Sequence, residues 1–109
     1  MQQISAPQLD EWLKTRQTSD ARPILLDVRE PWEFDVCHID GSRLMPMDSV
    51  AQRYTELDKG TATVVVCHHG VRSYQIALFL EGQGFANVIN LDGGVAAWAQ
   101  QVDTAMPIY

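Results

Sequence analysis

The sequence predicts an α/β domain built on a mostly parallel sheet. Two observations carry this. Short, continuously apolar runs alternate with amphipathic stretches along the whole chain, and the central runs show no in-out alternation, as expected of strands covered on both faces. With 109 residues there is room for one domain, 1–109, and not for two.

Gln3-Ile4-Ser5 opens the chain as a short strand candidate, and Ser5 is a candidate N-cap for a first helix. Pro7 lies in its first turn, and Leu9, Trp12 and Leu13 form one stripe. Ile24 to Val28 follows Pro23 and is too short for an ordinary helix, so it reads as a strand. Pro31 starts a short helix through Trp32, Glu33 and Phe34, and Arg43-Leu44-Met45-Pro46 is a further short strand. Asp48 is the expected cap of a helix containing Val50, Tyr54 and Leu57. Thr63 to Cys67 is the clearest strand. Val71 to Glu81 places Ile76, Phe79 and Leu80 at helical spacing, with Gly82 and Gly84 as the stop. Asn87 to Leu91 is the last strand, and Gly93-Gly94 precedes a final helix, Val95 to Gln101. The β-α alternation is what produces parallel strands with helical crossovers.

Composition narrows the function. Hydrophobic residues are 46% and charged residues 20%, ordinary for a globular protein. The net charge is -6 and there is no run of Lys or Arg, which argues against nucleic acid and anionic membranes as partners. An anion site would have to be made locally. Cys37 and Cys67 lie thirty positions apart, with no Cys-x-x-Cys and no zinc-ligand spacing to the three histidines, so no metal or other cofactor is expected. The expectation is a reduced, cytoplasmic chain. Met1 to Ser5 is not a basic segment leading into an apolar run, so no secretory leader is expected, and no apolar run is long enough for a helical span.

The chemistry is expected in Cys67-His68-His69-Gly70-Val71-Arg72-Ser73. Cys67 ends the clearest strand, and ligands of open parallel sheets bind outside strand carboxyl ends. A glycine inside such a loop lets successive N–H groups turn inward, and a helix N-terminus follows; both attract anions and favour thiolate over thiol. Arg72 adds a fixed cation with a planar fork. On its own a strand-terminal Cys is a small core hydrophobe, but a strand running on into core would not continue His-His-Gly. Asp27, Arg29, Glu30 and Glu33 form a charged group after the second strand. Trp12, Phe34 and Trp98 are core anchors by default.

The loop resembles the active-site loop of the rhodanese family, Cys-x-x-Gly-x-Arg-Ser. Leu26-Asp27-Val28-Arg29-Glu30 with Glu33-Phe34 and His38-Ile39-x-Gly41-Ser42 resembles that family's first signature, and Leu91-Asp92-Gly93-Gly94 with Trp98 its last. The resemblance implies a five-stranded sheet with helices on both faces. It implies a sulfurtransferase in which Cys67 is the nucleophile and carries a persulfide. His68, His69, Gly70, Val71, Arg72 and Ser73 would receive a small anionic donor such as thiosulfate, and a thiol, a protein or cyanide would accept the sulfur. Asp27, Arg29, Glu30 and Glu33 would buttress the loop, and His38 would be a hydrogen-bonded support. In one place the chain departs from the family pattern: Cys37 stands where a glycine usually precedes His-Ile, and it is expected to be structural, at a helix end that tolerates a small residue. Cysteine-dependent phosphatases and arsenate reductases are the alternative chemistry. Their loop has five residues between Cys and Arg, and this one has four. A non-catalytic binding module of the same fold is the other alternative.

Overall fold

The structure, a computed structural model, describes residues 1–15 and 22–109. Among the described residues five strands, β1 (Gln2–Ile4), β2 (Ile24–Asp27), β3 (Arg43–Leu44), β4 (Thr63–Val66) and β5 (Val88–Leu91), form one sheet in the order β1-β5-β4-β2-β3. Every pairing is parallel, and β4 is flanked by β2 (Leu26 beside Val65) and β5 (Val64 beside Ile89). The helices are α1 (Ala6–Thr15), α2 (Pro31–Val36), α3 (Val50–Arg53), α4 (Val71–Gly82) and α5 (Gly94–Gln101). The expected fold class is therefore the observed one.

All four residues of β4 are buried, which explains the missing alternation. Val64 and Val66 face one layer with Leu25, Ile89 and Leu91, where Ala6 and Leu9 of α1 and Val95 and Trp98 of α5 cover them. Val65 and Cys67 face the other, with Leu26, Val28 and Val88, under Ile76, Ala77 and Leu80 of α4 and Val50 of α3. Burial of each large aliphatic side chain stabilises the fold by roughly 1.5–3 kcal/mol. Trp98 is a core anchor as expected and Trp12 packs against the same layer; Phe34 instead stacks on His38 at the end of α2.

Two expectations of local structure need correction. The helix expected after Asp48 is broken into a 3-10 turn at Met47–Ser49, the single turn of α3, and a second 3-10 turn at Tyr54–Glu56. Asp48 is not its cap: it lies inside the first 3-10 turn, where the Ser49 hydroxyl instead donates to the Pro46 carbonyl at 2.7 Å. Pro46 fixes the entry, and the Met47 N–H is drawn to the Val28 carbonyl at 3.0 Å, so the segment hugs the sheet instead of winding freely. Ser5 does act at the start of α1: its hydroxyl accepts the Gln8 N–H and the Gln8 side chain accepts the Ser5 N–H at 2.9 Å.

The chain adds β3 on one side of β2 and then returns to place β4 on the other. The crevice outside the carboxyl ends of β2 and β4 is thus the switch point of the sheet, where ligands of such folds bind. Asp27 ends β2 and Cys67 follows β4 in that crevice.

Candidate active site

Cys67 is the first residue after β4 and is 1% exposed. Its Sγ accepts the Gly70 N–H at 3.1 Å, and its thiol donates to Ser73 Oγ at 3.3 Å. The Ser73 hydroxyl in turn donates to Asn90 Oδ1. Gly70 makes the turn possible, since it holds φ +95° in the left-handed region and stands as the N-cap of α4. The loop thus curls back on the sulfur within three residues, and α4 starts immediately beyond.

What holds the loop in that shape is the first turn of α5. The Val95 and Ala96 N–H groups donate to the Cys67 and His68 carbonyls at 2.9 and 3.0 Å. Those otherwise unpaired helix-start donors are satisfied by the loop, and the loop's carbonyls are turned away from the sulfur. Asn90 of β5 completes the frame: its Nδ2 donates to the Gly70 carbonyl at 3.1 Å and to the Gln3 side chain at 2.9 Å. Asn90 is not among the residues that the sequence points to as the site. A single amide inside the otherwise apolar buried run of β5 is the signal that it has one, because a buried amide must find partners.

The charged group after β2 is an ordered lattice of ion pairs. Arg29 is fully buried, with Nε at 2.8 Å and Nη2 at 2.6 Å from the Asp27 carboxylate, and Nη2 also donates to the Cys37 carbonyl at 2.7 Å. Asp27 is thereby committed to Arg29. Arg72 makes a two-pronged pair with Glu33, Nη1 to Oε1 at 2.7 Å and Nη2 to Oε2 at 2.9 Å. The fork that the sequence placed toward a ligand is engaged by Glu33, which is buried and also accepts the Glu30 N–H at 2.9 Å. Glu33 thus braces the loop directly through Arg72, while the Glu30 N–H and Arg29 Nη1 bond to Glu33. Cys37 ends α2 with φ −165°, ordinary extended backbone, so its presence in place of glycine strains nothing. Both cysteines are free thiols. His38 Nδ1 donates to the Phe34 carbonyl at 2.9 Å, and the imidazole stacks on the Phe34 ring, outside the loop.

His68 and His69 stack on one another at 4.0 Å between centroids. On the other side of His68 lies Tyr109, at 4.1 Å and 16°. Burial, then the neighbouring His69, pushes the His68 imidazole below its ordinary range. The Arg72 pair, then the Glu30 amide and Tyr109, holds Glu33 down at about 2 against burial. Folding thus prefers Glu33 ionised and His68 neutral. Stability from Glu33 is present above about pH 4.5 and is lost between there and about pH 2; neutral His68 adds a loss of the same sign below about pH 6.5. The Glu33 part is roughly 2–4 kcal/mol. Thermal melts of wild type and Glu33→Gln should show a wide gap at pH 7 that closes toward pH 2. A gap independent of pH would remove Glu33 from the pair.

Among the described residues no group of three or more His, Cys, Asp or Glu is arranged to hold a metal, and no helix is long and apolar enough to cross a membrane.

Comparison with known proteins bears on this geometry. Over 108 residues the chain is 33% identical to the probable adenylyltransferase/sulfurtransferase MoeZ of Mycobacterium tuberculosis; the match covers 97% of this chain and spans about a quarter, 26%, of that protein. Thiosulfate sulfurtransferase GlpE of Pseudomonas putida is 40% identical over 75 residues, covering 69% of this chain and 68% of that one. A crystal structure of a rhodanese-related protein from Thermoplasma volcanium superposes with a TM-score of 0.82 at 28% identity, over 94% of both chains. The model of the rhodanese-like domain matches residues 8–101, which take in the Asp27–Arg29 and Glu33–Arg72 ion pairs, the Cys67 loop and the turn of α5 that holds it. With that match, the chain belongs to the rhodanese-like domain family.

Proposed function

We propose that the protein is a sulfurtransferase, moving sulfane sulfur from thiosulfate or a persulfide donor to a thiophilic acceptor through a persulfide on Cys67. The observation that carries the reading is the sulfur of Cys67 facing the Gly70 amide inside a loop that closes within four residues before Arg72. In the first step the Cys67 thiolate attacks the outer sulfur of the donor. The donor's S–S bond breaks, and for thiosulfate the electron pair leaves on sulfite. In the second step cyanide, a thiol or a protein thiolate attacks the outer sulfur of the persulfide, and Cys67 departs as thiolate. Loop amides from His68 to Ser73 receive the sulfur and the developing negative charge.

Arg72 acts in this scheme through its charge and through its anchoring of α4, since Glu33 occupies its fork. The loop amides carry the larger part of anion recognition. Burial of Cys67 also favours sulfur over phosphorus: a slim donor ending in one sulfur atom reaches a buried thiol more readily than a tetrahedral phosphoryl group does. The four-residue spacing points the same way.

Intact mass after incubation with thiosulfate tests the reading. Wild type and Cys37→Ser should each gain one sulfur atom, about 32 Da, and peptide mapping should place it on Cys67. No gain by reduced wild type, or a gain confined to Cys37, would refute it.

A further inference from the structure

The segment after α5 folds back over the loop. Val102 and Asp103 both donate from N–H to the Trp98 carbonyl at 2.9 Å, Met106 closes a turn onto the Asp103 carbonyl at 3.0 Å, and Val102, Met106 and Tyr109 pack on the α1/α5 layer. Pro107 and Ile108 then lead to Tyr109, which with Cys37 and His68 walls a cavity of about 190 Å³ against α5. The segment is tied down by the aromatic side chain of Tyr109. The Tyr109 hydroxyl accepts from Arg29 Nη1 at 2.8 Å and donates to Glu33 Oε2 at 2.9 Å. Its ring lies flat on His68, and Trp32 meets that ring edge-on at 5.6 Å.

We propose that Tyr109 is a positioning residue for the Cys67 loop, holding it on both sides of the Gly70 amide. On one side the ring stacks on His68, one residue beyond the sulfur. On the other, the hydroxyl reaches Glu33, and Glu33 reaches Arg72 at the start of α4. Gly70, whose N–H meets Sγ, lies between those two anchors. The hydroxyl is also the shorter of two contacts made by Arg29 Nη1, the other being the Glu33 carbonyl at 3.3 Å. Its removal leaves a buried guanidinium donor with a long bond and takes one donor from the carboxylate that grips Arg72. Burial, with the hydroxyl's bond to Glu33, pushes Tyr109 up to about 12, so it works as a neutral phenol over the whole useful pH range.

The inference rests on the sulfurtransferase reading for its kinetic arm, and a spectroscopic arm stands apart from it. Wild type, Tyr109→Phe and Tyr109→Leu are compared at a temperature where near-ultraviolet circular dichroism shows all three folded. Tyr109→Leu should lower kcat for sulfur transfer by about ten- to a hundredfold, the cost of a loop misplaced by an ångström or less. Tyr109→Phe should recover part of that, because it keeps the ring and loses the bridge. The His68 imidazole lies between the rings of His69 and Tyr109, the charges of Glu33, Arg29 and Arg72 act on it, and its titration is to be followed by NMR. Its titration should move up toward the ordinary histidine value in Tyr109→Leu, where water replaces the ring, and stay in place in Tyr109→Phe. Wild-type kcat in Tyr109→Leu, or an unmoved His68 titration there, would overturn the proposal. An inactive wild type would overturn the sulfurtransferase reading alone and leave the titration as the test of position.

Discussion

Cys67→Ser should abolish sulfur transfer while the protein remains folded. A serine hydroxyl stays protonated at neutral pH and forms no persulfide, so both half-reactions lose their carrier. The fold should tolerate the change because the site is already polar around the sulfur: the Gly70 N–H and Ser73 hydroxyl that serve Sγ can serve an oxygen. The rate should fall to the background of donor and cyanide alone, a loss of about a thousandfold or more. Cys37→Ser is the matched control. Cys37 lies on the opposite layer of the sheet, in the α1/α5 cluster, and its part in the ion-pair lattice is played by its backbone carbonyl, which serine retains. Thiosulfate:cyanide kinetics on both variants decide the point. Turnover surviving in Cys67→Ser and vanishing in a folded Cys37→Ser would reverse the assignment.

Much of this site was legible because its information is local. Burial on both faces wrote itself into Val64-Val65-Val66 as a run without alternation, and the loop compresses thiol, turn glycine and helix start into seven neighbours. Residues joined across long separations were harder to read. Glu33 and Arg72 are 39 positions apart and Tyr109 is 80 from Arg29, and no spacing rule links such pairs. The sequence showed Arg72 as a lone cation beside a thiol and so suggested a ligand for its fork. In the fold that fork is paired with Glu33, a buried carboxylate, and a buried carboxylate must be paired. The Asp48 segment failed for another reason. Val50, Tyr54 and Leu57 keep helical spacing, but backbone bonds to the sheet after Pro46 outweigh a weak local preference for one continuous helix.

Gly94→Ala should be strongly damaging, although it touches no reacting atom. Gly94 opens α5 at φ +60°, and a Cβ built there would fall 2.3 Å from the Cys67 carbonyl oxygen and 2.5 Å from that of His68. Both obstacles are backbone, so no rotamer change relieves them. Adjacent N–H groups of Val95 and Ala96 need those same two carbonyls close. The methyl group must therefore either break these bonds or push the loop away from α5, and the loop carries the sulfur. Overpacking against rigid atoms costs about 1–3 kcal/mol, and a non-glycine residue in left-handed backbone costs about 1–3 more. The sum, roughly 2–6 kcal/mol, is large against the 5–15 kcal/mol typical of a whole domain. Gly82→Ala is the control: it closes α4 in open space, with nothing within 4 Å of the new methyl. Alanine there should be neutral or stabilising by up to about 1 kcal/mol. Urea unfolding of the two variants, with sulfur transfer measured on the folded fraction, separates them. Gly94→Ala should lose both stability and rate, because the helix start and the loop are held by one pair of hydrogen bonds. If it lost stability and kept full turnover, the loop's shape would not depend on α5.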